Sequence, residues 1–474
     1  MRVVWFLKSI GLEQRQQATL AICLLWVALA LPNVSTRSFI WEEGTNAEIA
    51  RSVLNRGEFL VPYIYGQRWA EKPSLLPWLI AGVAEITGQV NEWSARLPSM
   101  LAVLFVTLLT FRLGVRYMSL SAALFAAIAL LCSPIVLQKL AIAEPDVIIT
   151  LLSFSAFVLW WNGAERGRIG TLRWIGCGLL LAILAMAKGP QPVAFFVLGT
   201  GGYILARRLW REIRGFCLCL AFPAVATFAW AVVAYHPGAA HVWLAYMRLV
   251  GLPGGIDYIR MQSRFLMVTL AELLPAAILL PFFPCRWLRP GSSQRASSVA
   301  LALALYGIPT SLILLLWPTS EGRYVMPAVP ALALLAGFAW DQAGGSLQRA
   351  ARGLALAMAA ALLLYQFALV AIAMPLYAAR FGAGRTAGQQ IAATVAANPA
   401  PTFCLGLATN QLFYMGWPIR CLDYAELRRV TAPAWLVVTE GELAEFSSLH
   451  PGVKTTIKLK TTAGPDLMAV YVEH

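Results

Sequence analysis

The sequence predicts an all-α polytopic membrane protein with a small α/β domain at its C-terminal end. Of its 474 residues, 59% are hydrophobic and only 13% are charged, which is more apolar surface than a soluble domain can bury. Eleven apolar runs are long enough to suggest membrane helices. From about residue 374 onward, short strand-like runs replace them. Together these three observations define the expected fold class.

Basic residues cluster between alternate apolar runs. By the positive-inside rule the face that collects them is cytoplasmic, so we predict a cytoplasmic N-terminus and a periplasmic C-terminal domain. We therefore expect a multi-pass membrane protein with about eleven to thirteen transmembrane helices. The same placement accounts for the net charge of +14 without a nucleic-acid partner. The apolar runs lie near 17–33, 93–111, 118–136, 147–162, 174–187, 190–206, 215–235, 264–284, 297–317, 324–340 and 353–373.

Two N-terminal segments need separate interpretation. Residues 1–33 lack a small-residue cleavage site, so we interpret them as a first membrane helix and not as a signal peptide. The stretch 73–90 contains Pro73, Pro77 and Glu85 and is only marginally long enough to cross a membrane. A crossing there would put the later basic clusters on the wrong face. We therefore predict a juxtamembrane or re-entrant segment on the outer face.

The C-terminal region is predicted to form a periplasmic α/β domain over 374–474. Cys404 and Cys421 both fall in predicted strands, and the sequence leaves open a disulfide or two buried thiols. The transmembrane domain with the candidate site then covers 1–373, including an outer-face loop over 34–92. The predicted strands lie within 401–407, 418–424, 434–440, 455–461 and 467–473, and the predicted helices within 386–397 and 440–448.

The outer-face loop contains several charged residues beside an apolar segment. Charge next to lipid is energetically costly, so such residues commonly serve a function. Glu42 and Glu43 stand near its start, where a carboxylate can abstract a proton or bind a divalent cation. A solvated acidic turn is the alternative. Thr45 and Glu48 fit a capping box that begins a short amphipathic helix on the membrane surface, and Gly57 fits its C-terminal end. We therefore expect Glu48 to be structural.

Further polar residues are predicted on the same outer face. Glu71 and Lys72 return to the membrane surface just before Pro73. Lys72 can neutralise a lipid phosphate or simply extend to the interface. The others are Glu144 and Asp146 in AEPD, Lys188 in AKGP, Arg260 in the segment 236–264, and Arg323 and Tyr324 in SEGRYVMP.

Three motifs on this face carry a family resemblance. They are E-E-x-x-x-A-E-I-A-R followed by V-P, then E-K-P-x-L-x-x-W, then A-R-L-P-S, all within Trp41–Arg116. With them the chain resembles the bacterial GT-C glycosyltransferases, in particular the aminoarabinose transferase and protein O-mannosyltransferase group. The resemblance implies a GT-C fold, a polyprenyl-phosphate sugar donor and an acceptor glycosylated on the periplasmic face.

The resemblance also implies roles for individual residues. Relatives usually have Asp where this chain has Glu42, the candidate general base, which Glu43 would support. Either Glu144 or Asp146 is the counterpart of the second acidic position. The candidate catalytic residues are Glu42, Glu43 and Glu144. The candidate donor-phosphate ligands are Lys72, Lys188 and Arg323, to which the expected mechanism adds Arg260 from a region that the resemblance covers poorly. The candidate substrate contacts are Glu71, Asp146 and Tyr324.

These roles fit an inverting transfer in which an acceptor hydroxyl attacks the anomeric carbon through an oxocarbenium-like state. Glu42 and Glu144 can share a cation such as Mg²⁺ or Mn²⁺, or the acids can instead hold basic side chains or an amino sugar. The segment 236–264 is either a mobile cover over the donor or packing for the outer domain.

Other functions remain open at the level of sequence. Charges in a membrane protein also mark transport paths, so a flippase for polyprenyl-linked sugars is an alternative. Transporters usually place such groups near the bilayer midplane between repeated halves, and no repeat is visible here. A membrane scaffold and a transferase with a protein acceptor are further alternatives. We expect a monomer that meets membrane lipids, the lipid-linked sugar and a lipid or glycan acceptor such as lipid A.

Overall fold

The chain folds into two compact units. The helical unit comprises Met1–Pro32, Glu71–Leu75 and Ser99–Phe367, and the sheet unit comprises Asn33–Ala70, Leu76–Pro98 and Ala368–His474. Most of the outer-face loop thus shares a unit with the C-terminal residues, whereas the sequence divides the chain at 373. The computed structural model describes residues 2–32, 34–69, 71–235, 254–283, 295–317, 320–342, 344–381, 383–406, 409–416, 419–422, 426, 430–461 and 466–473.

The predicted polytopic helical fold is confirmed. Among the described residues, seven helices are long and apolar enough to cross a membrane, and a helix pair bent by 99° is an eighth candidate. Each of the eleven predicted runs coincides with one of these, with the first helix or with a shorter apolar helix. The number of crossings stays a prediction. The helices are α1 Arg2–Ala30, α2 Glu43–Arg56, α3 Leu75–Thr87, α4 Glu92–Gly114, α5 Leu120–Leu131, α6 Pro134–Lys139, α7 Asp146–Ala164, α8 Thr171–Lys188, α9 Val193–Ala206, α10 Trp210–Ala234, α11 Gly255–Glu272, α12 Ala276–Phe282, α13 Arg295–Leu316, α14 Gly322–Asp341 and α15 Ser346–Ala378.

Two predicted apolar segments have distinctive geometry. The run 264–284 is bent, because α11 ends at Glu272 and α12 begins after Pro275, which has no N–H to continue a helix. The segment 73–90 forms α3, whose 13 residues span about 20 Å. This is less than the roughly 30 Å hydrocarbon core of a bilayer. The length agrees with a juxtamembrane placement, which stays a prediction.

The helical unit is held together by close helix packing and buried aromatic rings. A Cβ atom at Gly178 in α8 would lie 3.0 Å from the Cys219 carbonyl oxygen in α10, so glycine allows these two backbones to approach closely. In the middle of α7, Phe154 and Phe157 pack against Tyr306 of α13. These contacts hold α7, which begins at the acidic AEPD segment, in a fixed position.

The sheet unit contains the predicted C-terminal α/β fold. Its five-stranded sheet has the order β4-β3-β5-β7-β6, parallel between β3 and its neighbours β4 and β5 and antiparallel elsewhere. All five predicted strands and both predicted helices are present. Every residue of β5 is buried because its sequence, AWLVV, is wholly apolar. The elements are β1 Tyr63–Ile64, β2 Gln67–Arg68, α16 Ala383–Ala396, β3 Thr402–Cys404, α17 Thr409–Leu412, β4 Arg420–Cys421, β5 Ala434–Val438, α18 Glu440–Leu449, β6 Thr455–Lys460 and β7 Met468–Val472.

A disulfide joins two strands of this sheet. Cys404 and Cys421 lie directly opposite each other in β3 and β4 and are bonded. Of the two states that the sequence leaves open, the structure therefore has the disulfide. The Cys421 backbone N–H also donates to the Tyr65 carbonyl at 3.0 Å, which ties the strand to the outer-face loop.

The loop helix α2 packs into the sheet unit. Ile49 and Val53 are buried, and Ile49 shares a core with Tyr65, Cys404 and Trp435. Two residues of the predicted apolar stripe are therefore covered by protein, whereas the third, Leu54, is 36% exposed. The position of α2 on the membrane surface stays a prediction. The predicted end of the helix is confirmed, because Gly57 has a left-handed φ of 69° and donates to the Val53 carbonyl at 3.0 Å.

Candidate active site

Glu43 is locked in a buried ion pair. Its carboxylate has no exposed surface and accepts two hydrogen bonds from the Arg96 guanidinium, at 2.7 and 2.9 Å. Arg37 donates a third bond at 2.8 Å and the Ile40 amide a fourth at 3.1 Å. Burial alone would raise the pKa of Glu43, but the charges and hydrogen bonds of Arg96 and Arg37 outweigh it and lower the pKa to about 2. Glu43 thus supports the loop and is a poor proton acceptor.

Glu42 has a different environment one residue earlier. It is half-buried and occupies the N-cap position of α2 without a capping bond from its side chain. Its backbone carbonyl accepts hydrogen bonds from the backbone and side chain of Asn46, at 3.0 and 3.1 Å. The helix therefore fixes the backbone of Glu42 and presents a carboxylate at its N-terminal end.

The predicted capping box at Thr45 and Glu48 is wrong. Helix α2 begins at Glu43, and the Thr45 hydroxyl instead pairs with the Thr409 hydroxyl at 3.0 Å. Glu48 lies buried beside Arg51, 3.0 Å away. The Thr409 hydroxyl comes from a distant part of the chain and competes successfully with the local cap. Glu48 nevertheless has the structural position that was predicted for it.

Glu48 is expected to make stability depend on pH. Burial raises the pKa of Glu48 from 4.5 to about 7, despite the nearby charges of Arg51 and Arg56. The folded protein keeps this proton between about pH 4.5 and 7 while the unfolded chain loses it. The free energy of unfolding should therefore fall as pH rises through this window, by at most about 1.4 kcal/mol per pH unit. Glu48→Gln should remove that slope.

The measurement is the denaturant midpoint of the purified protein in detergent at about pH 5 and pH 8. Glu445→Gln is the matched control, because Glu445 is exposed on α18. The interpretation is wrong if the denaturant midpoint of Glu48→Gln differs between the two pH values as much as that of the parent does.

Glu71 and Lys72 lie in the helical unit directly before α3, and both are partly exposed. The two residues that follow, Pro73 and Ser74, are buried. The segment is therefore anchored at Pro73 and Ser74, while the two charged side chains before them keep part of their surface exposed.

The second acidic group is buried and neutralised by cations. In the helical unit, the Lys139 ammonium forms an ion pair with the Glu144 carboxylate, and Arg323 approaches the same oxygen at 3.6 Å. The Asp146 carboxylate pairs with Lys188 at 2.8 Å. The structure thus places Glu144, Asp146, Lys188 and Arg323 in one cluster and adds Lys139. The roles of the predicted residues in this cluster stay a prediction.

Tyr324 completes this cluster. The Lys188 ammonium lies 4.7 Å from the centre of the Tyr324 ring, within range of a cation–π interaction. Arg323 lies 5.8 Å from the same ring and also contacts Glu321 at 2.6 Å. One oxygen of Asp146, Oδ2, is buried with no hydrogen-bond partner among the described residues. A hydrogen-bond donor on a ligand can therefore satisfy this oxygen.

Arg260 is exposed and has an acidic partner on its own helix. Its side chain is 76% exposed on α11 and pairs with Asp257 at 3.5 Å. Its predicted role at the donor phosphate stays a prediction. Most of the predicted cover, residues 236–253, lies outside the described residues.

Sequence reasoning missed several partners of the candidate acids. Arg96 belongs to the A-R-L-P-S motif, and Lys139 is a lysine in an apolar environment, which is a recognisable functional signal. Asn410 and Tyr414, which contact the Glu42 loop in the sheet unit, carry no comparable local signal.

The acids of the helical unit do not fit a divalent metal. Glu144 already has an ammonium and a guanidinium at its carboxylate, and both would repel a cation. Within the described part of the chain, no three His, Cys, Asp or Glu side chains are grouped to hold a metal ion. The predicted Mg²⁺ or Mn²⁺ between Glu42 and Glu144 therefore gains no support from these side chains.

Known proteins share this sequence pattern over much of the chain. The family model described as dolichyl-phosphate-mannose-protein mannosyltransferase matches residues 71–236. The undecaprenyl phosphate-alpha-4-amino-4-deoxy-L-arabinose arabinosyl transferase of Pseudomonas aeruginosa strain UCBPP-PA14 is 26% identical over 70% of this chain and 61% of its own length. The corresponding protein of Edwardsiella ictaluri is 30% identical over 42% of this chain and 36% of its own. The chain thus spans about three fifths of the Pseudomonas relative.

Solved structures match almost the whole chain. ArnT from Cupriavidus metallidurans bound to undecaprenyl phosphate has a TM-score of 0.71 at 18% identity, covering 96% of this chain and 97% of that one. This chain has the GT-C fold. The predicted resemblance to the aminoarabinose transferase and protein O-mannosyltransferase group is confirmed. An Archaeoglobus fulgidus oligosaccharyltransferase matches this chain less closely. Its TM-score is 0.53 at 12% identity, covering 94% of this chain and 69% of that one.

Proposed function

We propose that this GT-C protein is an inverting glycosyltransferase that moves a sugar from a polyprenyl-phosphate donor to a lipid or glycan acceptor. The observation that carries this proposal is the fold match over 96% of the chain to ArnT bound to undecaprenyl phosphate. The buried acids Glu144 and Asp146 and their half-buried partners Lys188 and Arg323 add support, because such groups in a membrane protein commonly serve a substrate.

The proposed chemistry is a single displacement. Glu42 accepts the proton of an acceptor hydroxyl, and the hydroxyl oxygen attacks the anomeric carbon as the bond from that carbon to the phosphate oxygen breaks. The phosphate leaves with the electron pair, and one attack inverts the configuration. Glu42 suits the role of base better than Glu43, whose carboxylate is bound by Arg96.

Cations would stabilise the charge that develops on the leaving phosphate. We assign this role to Lys72, Lys188 and Arg323, with Arg260 as a further candidate. Lys188 and Arg323 already pair with acids, but an ammonium has three donors and a guanidinium has five. Each can therefore hold a phosphate oxygen while it keeps its carboxylate partner.

Glu71, Asp146 and Tyr324 are the proposed contacts to the sugar. The free acceptor capacity of Asp146 Oδ2 suits a hydroxyl or amino group of the sugar. The relatives' names specify 4-amino-4-deoxy-L-arabinose linked to undecaprenyl phosphate, which makes this compound the first donor to test. Lipid A is the first acceptor to test.

We propose that the reaction takes place on the periplasmic face of the inner membrane. The basic clusters place the N-terminus in the cytoplasm by the positive-inside rule. The Cys404–Cys421 disulfide suits an oxidising compartment, which agrees with a periplasmic sheet domain.

Reconstitution in vesicles distinguishes the proposed enzyme from the alternatives. Purified protein is given undecaprenyl-phosphate-linked aminoarabinose and lipid A, and the products are separated by mass. We expect glycosylated lipid A and released undecaprenyl phosphate in equal amounts. Movement of the donor between leaflets without transfer would indicate a flippase, and neither process would indicate a scaffold. Transfer to a protein alone would replace the proposed acceptor class.

A further inference from the structure

The side chain of Asn410 spans the two acids at the start of α2. Its Nδ2 atom donates to the Trp41 carbonyl at 3.0 Å, and its Oδ1 atom accepts from the Gly44 amide at 2.9 Å. One amide group therefore holds the residue before Glu42 and the residue after Glu43. Both ends of the amide are matched, since its donor meets a carbonyl and its acceptor meets an N–H.

This contact replaces a local helix cap. The first amides of a helix have no partners within it, and Glu42 provides no side-chain capping bond. Asn410 satisfies the Gly44 amide from 366 residues away along the sequence. The Thr45–Thr409 hydroxyl pair lies beside it.

The fit at Gly44 leaves no room for a side chain. A Cβ atom there would lie 2.7 Å from Asn410 Oδ1 and 2.7 Å from the Thr409 carbonyl carbon. The second of these atoms is backbone and cannot rotate away. Glycine at this position therefore allows α17 to approach α2 closely enough for the amide contacts.

Tyr414 fixes the same loop from a second point. Its hydroxyl accepts from the Phe39 amide at 2.9 Å and donates to Glu92 at 2.6 Å. The segment 409–414 therefore holds the chain on both sides of Trp41, which has a left-handed φ of 51° that non-glycine residues rarely adopt.

We propose that Asn410 is a positioning residue for the transfer reaction, because it fixes the backbone that presents Glu42. The inference rests on the proposed function, since it assigns Asn410 a role through the proposed base. A base displaced by about 1 Å can lose roughly a hundredfold in rate. Asn410 acts on geometry alone, so donor binding should be unaffected.

The test compares Asn410→Ala and Asn410→Asp with the parent in the vesicle assay. We expect kcat to fall about 10- to 100-fold while KM for the lipid-linked sugar stays unchanged. The thermal midpoint should fall only slightly, because the substitution removes a helix cap. Asn410→Asp keeps the acceptor for the Gly44 amide but loses the donor to the Trp41 carbonyl. Its kcat should therefore fall as well, as in Asn410→Ala. Asn55→Ala is the matched control, because Asn55 is exposed on the last turn of the same helix.

A double-mutant cycle separates positioning from an independent effect. If Asn410 acts through Glu42, Asn410→Ala should cause no further loss of kcat in the Glu42→Gln background. Parental kcat in Asn410→Ala, or full multiplication of the two losses, overturns the proposal.

Hydrogen exchange tests the anchoring without any turnover. Asn410→Ala should speed exchange of amides in residues 41–48, and Asn55→Ala should not. Unchanged exchange in this segment overturns the anchoring role. If the parent itself transfers no sugar, the proposed function fails and the catalytic role of Asn410 fails with it, while the exchange result still decides the anchoring.

Discussion

Replacing Glu42 with glutamine is expected to lower the rate of sugar transfer by about 10²–10⁴-fold, the usual contribution of a general base. Glutamine has nearly the same size as glutamate but cannot accept the proton of the attacking hydroxyl. Glu43 cannot take over, because its carboxylate is buried and fully engaged by Arg96 and Arg37. The measurement is single-turnover transfer in vesicles, with donor binding determined separately.

Two further variants sharpen this prediction. Glu85→Gln is the matched control, since Glu85 is exposed on α3, and it should transfer at the parental rate. Glu42→Asp keeps a carboxylate on a side chain one methylene shorter, so it should keep a measurable part of the activity. Parental transfer by Glu42→Gln, with normal folding, would remove Glu42 from the role of base.

Replacing Arg96 with methionine is expected to lower the free energy of unfolding by about 3–5 kcal/mol, as when one partner of a buried ion pair is removed. The Arg96 side chain is only 1% exposed and donates to both oxygens of Glu43. It also donates to the carbonyls of Val34, Arg37 and Ser38. The substitution would leave these acceptors buried without their main donor.

Denaturant midpoints in detergent measure this loss. Arg68→Met, at an exposed position in β2, is the control and should change the midpoint little. Adding Glu43→Gln to Arg96→Met should recover part of the stability, because it removes the uncompensated carboxylate. A loss below about 1 kcal/mol in Arg96→Met, typical of an exposed pair, would contradict the structural role.

The same pair predicts a loss of stability in acid. The pKa of Glu43 is lowered to about 2 from 4.5. Its contribution is therefore fully present above about pH 4.5 and is lost as pH falls toward 2. This dependence is opposite in sign to that of Glu48, and it should disappear in Glu43→Gln.

The fold was predictable because its signals are local. Apolar runs identify the membrane helices, and alternating or wholly apolar stretches such as AWLVV identify the strands. Gly57 correctly marked the end of α2 by its left-handed conformation. The bend before Pro275 follows from the chemistry of proline but was not anticipated from hydropathy.

The site was only partly predictable because its contacts are distant in sequence. The acids and cations were recognised by residue type, yet Arg96 lies 53 residues from Glu43 and Asn410 lies 366 from Gly44. The capping box failed for the same reason, since Thr409 replaced the local partner of Thr45. The local sequence pattern therefore identified the acids and cations of the site but could not identify the distant residues that bind them.

Mass spectrometry of surface glycolipids tests the central claim most directly. Cells that lack the protein are compared with cells that regain the parent or the Glu42→Gln variant. We predict that one glycolipid loses the mass of a single sugar when the protein is absent. The parent should restore this mass and Glu42→Gln should not. Identical glycolipid spectra with and without the protein would contradict sugar transfer to a lipid acceptor.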